Sequence, residues 1–340
     1  MTLSKRVTIS DIARLAGVSV GAVSFALNNR PGVSEETRKR ILSIAHDLQW
    51  QPSSAARALV GSRAGVIGLA VNRPARTLGT EAFFTDLIAG IQSGLSATQV
   101  GLHMRLVSSI EDEIATYRRW HSSHQVDGVI VIDPREDDAR LAALSAIGAR
   151  AVVVGSHPSA EGAAPTVWID DVQAAHTLFD YLVALGHRHI AYVTGPAEFE
   201  HTTLRARVLH ELAPRDIHTE TIITDFSSQR AAEATRSLLS RSTRPSAIVY
   251  DNDVMAVAGL RVTQEMSLVV PDAVSLASFD DSVIAGLVHP SITCLTRDTF
   301  ELGEIATRLL LEQIESREPL PSVAGPTPRL TVRESTAAAR

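Results

Sequence analysis

Three short runs of helical period occupy the N-terminal part of the chain, and each follows a residue that commonly caps helices. Thr8 precedes the first run, which ends at Gly17, while Ser19 precedes the second run and Ser34 the third. Only Gly17 and Val18 separate the first two runs, which predicts a tight turn between two helices. Two helices joined by such a turn and supported by a third form the helix-turn-helix pattern, whose second helix enters the major groove of DNA.

From residue 64 onward, short apolar runs alternate with longer amphipathic runs. The short runs have the continuous hydrophobicity of buried parallel strands and span residues 66–71, 126–132, 151–154, 190–193, 247–250 and 274–277. The amphipathic runs predict helices near residues 84–98, 111–124, 138–146, 172–185, 202–212, 229–240, 253–265 and 299–316. This alternation predicts a doubly wound α/β fold of parallel sheets with flanking helices, and its length suits two lobes that face a cleft.

Charge is distributed unevenly along the 340 residues. The net charge of −6 would argue against a nucleic-acid partner, but residues 1–63 hold nine lysines and arginines against four acidic residues. The remaining chain holds 23 against 34, so a module of +5 is joined to a body of −11. A basic module of this kind is expected of a protein that binds the phosphate backbone. The only cysteine, Cys294, is expected to be a small buried hydrophobe.

Other classes of protein with a two-lobed α/β fold would carry signatures that this sequence lacks. A solute-binding protein of a transport system would need a secretion signal and no basic headpiece. An α/β enzyme would need a Walker, H-E-x-x-H or Cys–His motif, or a G-x-S-x-G motif between a strand and a helix. The first three are absent, and the G-x-S-x-G match at residues 17–21 lies between the first two predicted helices rather than after a strand. No apolar run approaches the roughly 18 residues that cross a bilayer. We therefore expect a cytoplasmic protein without enzyme activity, cofactor, metal or membrane partner, and a structural role for His187 and His189.

Particular residues then point to one family. The runs Thr8–Ser19, Val23–Asn28 and Val33–Arg38 closely resemble the headpiece of the lactose-repressor (LacI/GalR) family. The likeness continues through the body in the segments Val126–Ile130, Gly186–Arg188, Ala191–Pro196, Asn252–Ala256 and Phe279–Asp281, which are similar to the family's effector domain. The resemblance implies a transcriptional regulator, commonly a repressor, that binds palindromic operator DNA as a homodimer. A small-molecule effector, typically a sugar or sugar derivative, would control its operator affinity.

The resemblance also implies how the domains divide. Residues 1–51 would form an all-α headpiece, residues 52–63 a hinge helix and linker, and residues 64–340 a periplasmic-binding-protein-like domain for effector binding and dimerisation. The N-lobe would comprise about 64–166 and 298–325, and the C-lobe about 167–297 and 326–335.

Candidate DNA contacts follow from the matching positions of the headpiece and hinge. They are Thr8, Ser19, Val20, Gly21, Ala22, Ser24, Phe25, Asn28, Arg30, Ser53, Ala56, Arg57 and Leu59. Leu59 matches the family's minor-groove wedge. Two hinge helices of a dimer can push a pair of such leucines between base steps of the DNA. Many family members carry arginine or histidine in place of Phe25. Two interpretations of Phe25 therefore stay open: contact with thymine methyls, or packing in the headpiece core.

Candidate effector contacts follow in the same way from the body. They are Phe83, Phe84, Glu136, Arg205, Phe226, Asn252 and Asp280. A guanidinium, carboxylates and an amide suit vicinal hydroxyls, and an aromatic ring covers the C–H face of a sugar. The alternative is that these residues form ordinary ion pairs and core aromatics. Where the family has a glycine three residues after the arginine, this chain has Val208, which leaves the reach of Arg205 open.

Overall fold

The computed structural model describes residues 7–27, 30–48, 50, 63–155, 164–213 and 216–339. The chain divides into two compact units, Met1–Ala64 and Gly65–Arg340. Each unit has its own hydrophobic core.

The first unit contains the three predicted helices, α1 (Ile9–Ala16), α2 (Val20–Leu27) and α3 (Glu35–Asp47). Helix α1 begins at Thr8, whose side chain accepts a hydrogen bond from the backbone N–H of Asp11 while the Asp11 carboxylate accepts one from the Thr8 N–H. It ends at Gly17, which adopts the left-handed conformation at φ 66° that favours glycine. The three helices bury a common core of Ile12, Ala13, Ala16, Val23, Ala26, Ile41 and Ala45.

None of the described helices is by itself long and apolar enough to cross a membrane. Helices α1 and α2 reach that length and hydrophobicity only when they are taken together, and a bend of 103° separates them.

The second unit is built around two six-stranded sheets. The first sheet contains β1 (Val66–Val71), β2 (Gly101–Leu106), β3 (Gly128–Val131), β4 (Ala151–Gly155), β5 (Thr166–Trp168) and β11 (Val323–Ala324). Its strands are all parallel, in the order β11-β5-β4-β3-β1-β2. Its helices are α4 (Ala75–Leu78), α5 (Ala82–Leu95), α6 (Ile110–Ser122), α7 (Ala139–Ala146) and α13 (Thr299–Glu315). We call this sheet and its helices lobe 1.

Lobe 2 has the same construction. Its strands are β6 (His189–Thr194), β7 (His218–Ile223), β8 (Ala247–Tyr250), β9 (Ser275–Ser278), β10 (Thr293–Thr296) and β12 (Arg329–Thr331). They lie in the order β12-β10-β9-β8-β6-β7, and β12 alone is antiparallel to its neighbour. Its helices are α8 (Asp171–Ala184), α9 (Glu200–His210), α10 (Ser228–Leu239), α11 (Asp253–Glu265) and α12 (Val283–Leu287).

The predicted α/β fold of two parallel sheets with flanking helices is confirmed. Every predicted strand and helix of the body is present with its ends shifted by a few residues at most. The sequence pattern missed six strands, among them β2 and β7, which each form an edge of a sheet. The residues of β2 are mostly exposed and those of β7 are exposed or half-buried, so both strands lack the buried apolar run by which the central strands are recognised.

Close packing of two helices holds lobe 1 together. Helices α5 and α13 cross where each has a glycine, and a Cβ at Gly303 would lie 2.5 Å from the carbonyl oxygen of Leu87. A Cβ at Gly90 would lie 2.0 Å from the carbonyl oxygen of Phe300. Only glycine therefore permits this approach, which covers one face of the first sheet.

Two smaller expectations are also confirmed. Cys294 is completely buried in lobe 2, and burial raises the pKa of its thiol far above the usual range. The imidazole of His187 is buried between the hydroxyl of Ser246, at 3.0 Å, and the carbonyl oxygen of Ala337, at 3.1 Å. It ties the C-terminal segment to lobe 2.

Candidate functional site

A cleft lies between the two lobes at the carboxyl ends of their strands. The chain passes between the lobes at residues 169–170, 297–298 and 325–328. The cleft holds a cavity of about 70 Å³ within about 660 Å³ of free space that includes open solvent. It is lined by side chains of both lobes, including Arg73, Glu81, Phe83, Phe84, Asp133, Asp171, His201, Arg205, Phe226, Asp251, Asn252, Asp280 and Arg297.

The structure brings most of the candidate effector residues to this cleft. Those that line it are Phe83, Phe84, Arg205, Phe226, Asn252 and Asp280. Glu136, which was expected to contact the effector, is exposed and does not line the cleft. The acidic residue that this loop contributes is Asp133, where the backbone turns through a left-handed conformation at φ 52°.

Arg205 is the centre of a buried ion network on the lobe 2 side. Its Nε and Nη2 donate to Asp171 Oδ1 at 3.1 and 2.7 Å, and its Nη1 donates to Asp251 Oδ1 at 2.8 Å. Asp251 also accepts hydrogen bonds from the hydroxyls of Tyr192 and Thr194 and from the backbone N–H of Gly195. Burial acts to raise the pKa values of both aspartates, but the charge of Arg205 outweighs it and holds them below their usual range.

Phe226 and Asn252 are placed by the backbone around them. Phe226 adopts a left-handed conformation at φ 66°, which is uncommon for a bulky residue and is found mostly at functional sites. Its ring lies over Gly195, where a Cβ would be 2.1 Å from a ring carbon. Asn252 caps helix α11 by accepting from the N–H of Met255 at 2.8 Å. Gly195 therefore leaves room for the Phe226 ring, and the capping hydrogen bond holds the Asn252 side chain in the cleft wall.

Arg73, which the sequence patterns did not single out, links the two lobes. It follows strand β1 in lobe 1 and forms an ion pair with Asp133 of the same lobe at 3.1 Å. Its guanidinium lies 4.3 Å from the ring centre of Phe199 and 4.5 Å from that of Phe226, both in lobe 2. Cation–π contacts of a buried guanidinium are each worth about 1–2 kcal/mol, so Arg73 favours the closed cleft.

Two acids on the walls have unusual proton affinities. Burial raises the pKa of Asp280 to about 6, although Arg297 and Arg205 act in the opposite direction. Burial raises the pKa of Glu81 to about 8, against the opposing charge of Arg73. The His201 ring lies near Phe199 and Phe226, and burial together with Arg205 lowers its pKa to about 4, so this imidazole is neutral at pH 7.

The arrangement suits binding of a polar ligand. Guanidinium donors, carboxylate acceptors and an amide meet aromatic rings in one partly enclosed space, which is the chemistry that recognises hydroxylated molecules. A different group, His189, His218 and Glu220, places potential metal ligands within 4.8 Å of one another. Its carboxylate already accepts from Arg241 at 2.6 Å and pairs with His189 at 3.1 Å, so we assign no metal there.

The headpiece presents the outer side of helix α2 to solvent. Ser19, Val20, Gly21 and Phe25 are exposed, and Ala22 and Ser24 are half-buried. The Ser19 hydroxyl accepts from the N–H of Ala22 at 3.2 Å and so caps the helix. Thr8, used in the cap of α1, and Arg30 are also exposed. Asn28, Ser53, Ala56, Arg57 and Leu59 lie outside the described residues.

Phe25 lies at the surface of the headpiece. Its side chain is 41 % exposed, and its ring packs on Gly32 outside the core cluster. The end of α2 is held by Arg38 of α3, whose guanidinium donates to the carbonyl oxygens of Phe25, Ala26 and Arg30. Arg38 is a residue that the helical pattern did not single out. It occupies the C-terminal carbonyls that a helix otherwise leaves without partners.

Comparison with known proteins relates both units of the chain to known families. Residues 8–53 match the model of bacterial regulatory proteins, lacI family, and residues 179–336 match that of a periplasmic binding protein-like domain. The chain is 30% identical to the HTH-type transcriptional regulator CelR of Thermobifida fusca over 98% of this chain and 100% of that protein.

Two solved structures extend the comparison. A LacI family transcriptional regulator from Bifidobacterium animalis subsp. lactis is 31% identical with a TM-score of 0.74, over 82% of this chain and all of that one. A complex of the transcriptional regulator CelR with cellobiose is 26% identical with a TM-score of 0.72, over 97% of this chain and all of that one.

We predict that Arg205→Ala lowers the free energy of unfolding by about 3–5 kcal/mol at pH 7, because Asp171 and Asp251 are left buried without their cation. The difference in unfolding free energy between the parent protein and the variant should shrink as the pH falls toward 4. Carboxylates with lowered pKa values stabilise the parent above pH 4 and lose that contribution in acid, whereas the unpaired carboxylates of the variant gain stability on protonation. Urea unfolding at pH 7 and at pH 4 measures the unfolding free energies of the parent protein and the variant.

Arg207→Ala is the matched control, because Arg207 lies on the same helix but is exposed. A deficit that is equally small in both variants would show that Arg205 does not hold the lobe together.

Proposed function

This chain belongs to the lacI family of bacterial regulatory proteins, and we propose that it is a transcriptional repressor whose affinity for operator DNA is set by a sugar or sugar derivative. The observation that carries the proposal is the combination of a helix-turn-helix unit with a polar, aromatic-walled cleft in one chain. Relatives along nearly the whole chain are named as a transcriptional regulator and a transcriptional repressor. We infer that this protein acts by binding alone and works in the cytoplasm, where its DNA partner is.

The outer side of α2 supports the DNA-binding half of the proposal. Val20 and Phe25 are exposed apolar residues that can contact thymine methyls, while Ser19 at the start of the helix suits a phosphate. Few hydrogen-bonding side chains are available there, so sequence reading would depend on apolar contacts more than is usual for a recognition helix. We retain Asn28 and Arg30, together with Ser53, Ala56 and Arg57 of the hinge, as further contacts and Leu59 as the minor-groove wedge.

The cleft supports the effector half. Arg205, Asn252 and Asp280 would bind ligand hydroxyls, and Phe226 would pack on the apolar face of a sugar ring. The cellobiose complex of a relative shows a sugar bound to a regulator of this kind and favours a carbohydrate for this chain. Ligand that contacts both lobes stabilises the closed cleft, and this difference between closed and open states is what allosteric control requires.

We also propose that the protein is a homodimer that binds a palindromic operator. One short recognition helix reads few base pairs, so a two-fold dimer is the usual way to reach a specific site. Helix α12 offers a surface for a second copy, because Val283, Ile284 and Leu287 form an apolar face on which Val283 and Leu287 are 77% and 78% exposed. Exposed apolar faces of this kind mark association surfaces.

We predict that Phe25→Ala weakens binding to an operator selected from random DNA by about tenfold, since losing the specific recognition of one base pair typically costs about 1–3 kcal/mol. Gel shifts on the selected operator measure the loss, and binding to unrelated DNA should be unchanged. The control is Leu42→Ala, which removes an equally exposed apolar side chain from helix α3. If no operator can be selected, or if both variants bind like the parent protein, helix α2 is not the recognition helix.

We predict that Leu287→Glu converts the dimer into monomers at micromolar concentration, because the carboxylate would be buried against the apolar face of a second copy. Sedimentation measures the mass. Val269→Glu, which places the same charge on another exposed apolar position (61%), should stay dimeric. Dimers of equal stability in all three proteins would rule out α12 as the contact.

A further inference from the structure

Glu81 is a buried acid on the cleft wall whose carboxylate is incompletely paired. It lies directly before helix α5, but its side chain makes no capping hydrogen bond. The side chain is only 7% exposed, and its Oε1 has no hydrogen-bond partner among the residues that the structure describes. A buried polar atom without a partner costs about 1–3 kcal/mol, so a ligand that supplies the partner recovers that cost on binding.

The arginines of the cleft are already paired with other acids. Arg205 binds Asp171 and Asp251, as described above, and Arg73 binds Asp133 at 3.1 Å. Arg297 lies 3.4 Å from Asp280. Among the described lining residues, three arginines therefore face five acids, and Glu81 is the acid that has no arginine of its own.

Two donors in the same walls complete the pattern. The Nε atoms of Arg73 and Arg297 are buried and have no hydrogen-bond partner in the described part of the chain. Each requires an acceptor, such as a hydroxyl oxygen, whereas the oxygen of ionised Glu81 requires a donor. An anionic ligand would satisfy the arginines but would meet the excess of acids, which disfavours it.

We propose that Glu81 binds a protonated amine of the effector, so that the cleft selects a hydroxylated amine of the amino-sugar class over neutral and anionic sugars. This inference rests on the proposed effector function of the same cleft. The ammonium supplies the missing charge and the donor for Oε1, while the ligand hydroxyls accept from Arg73 and Arg297. Hydrogen bonds to charged groups are stronger than those between neutral groups, which gives the amine its advantage.

Binding should also release a proton. The groups that act on Glu81 are Arg73, which favours its ionised form, and Asp133, Asp253 and Asp280 on other elements, which oppose it. With its pKa raised to about 8 by burial, Glu81 is mostly protonated at pH 7 when the cleft is empty. A bound ammonium favours the carboxylate, so Glu81 gives up its proton to the solvent as the amine binds.

Titration calorimetry of the full-length protein at pH 7 tests the inference with matched sugars. The pairs are glucose and glucosamine, galactose and galactosamine, and mannose and mannosamine, with glucose 6-phosphate as the anionic probe. In the pair that fits, the amine should bind about tenfold more tightly than the neutral sugar. Glu81→Gln should abolish that preference and the proton release seen by comparing buffers of different ionisation enthalpy.

Glu136→Gln is the matched control, because it removes an acid of lobe 1 that does not line the cleft, and it should leave both effects unchanged. If the neutral sugar or the phosphate binds as tightly as the amine, or if Glu81→Gln keeps the preference, the amine subsite is wrong while the effector function stands. If no member of any pair binds or alters operator binding, the proposed sugar effector and the amine subsite both fail.

Discussion

A single buried cation determines how the effector-binding unit is assembled. Arg205 joins Asp171 at the start of α8 to Asp251 at the end of β8, from its own position in α9. Each charge would be costly to bury alone, so the three must be brought together as the lobe folds. The Phe279 ring lies under the guanidinium at 4.4 Å, and Tyr192, Thr194 and Gly195 occupy the remaining lone pairs of Asp251. The cleft floor is consequently preorganised before any ligand arrives.

The same network explains why the cleft can discriminate between ligands. Carboxylates that are bound to Arg205 cannot rotate freely toward solvent, so the wall presents fixed positions and fixed charges to a ligand. Other polar atoms of the cleft are less committed, because Glu81 Oε1 and the Nε atoms of Arg73 and Arg297 lack hydrogen-bond partners among the described residues. Recognition therefore divides between the fixed network around Arg205, which sets the geometry, and these unsatisfied atoms, which select the chemistry of the ligand.

The central strands and the headpiece helices could be predicted because burial on both faces, or helical period with a cap, is visible in a single run of sequence. Strands β2 and β7 could not, since edge strands such as Gly101–Leu106 carry exposed polar residues. Arg205 and Phe226 were found through a family motif. Arg73, Glu81 and Asp133 were missed because they lie in or beside irregular loops, where no periodicity indicates which side chain faces the cleft. Glu136 was predicted to face the cleft from a loop, but its side chain is exposed outside it.

We propose that occupancy of the cleft and binding of the operator are coupled equilibria in this protein. Linkage requires that an effector which changes operator affinity by some factor has its own affinity changed by the same factor when operator is bound. The decisive measurement is the operator dissociation constant with and without saturating effector, together with the effector dissociation constant with and without saturating operator. We expect both ratios to be equal and to lie within about 5–150-fold. An effector that binds in the cleft yet leaves operator affinity unchanged would show that the two equilibria are not coupled.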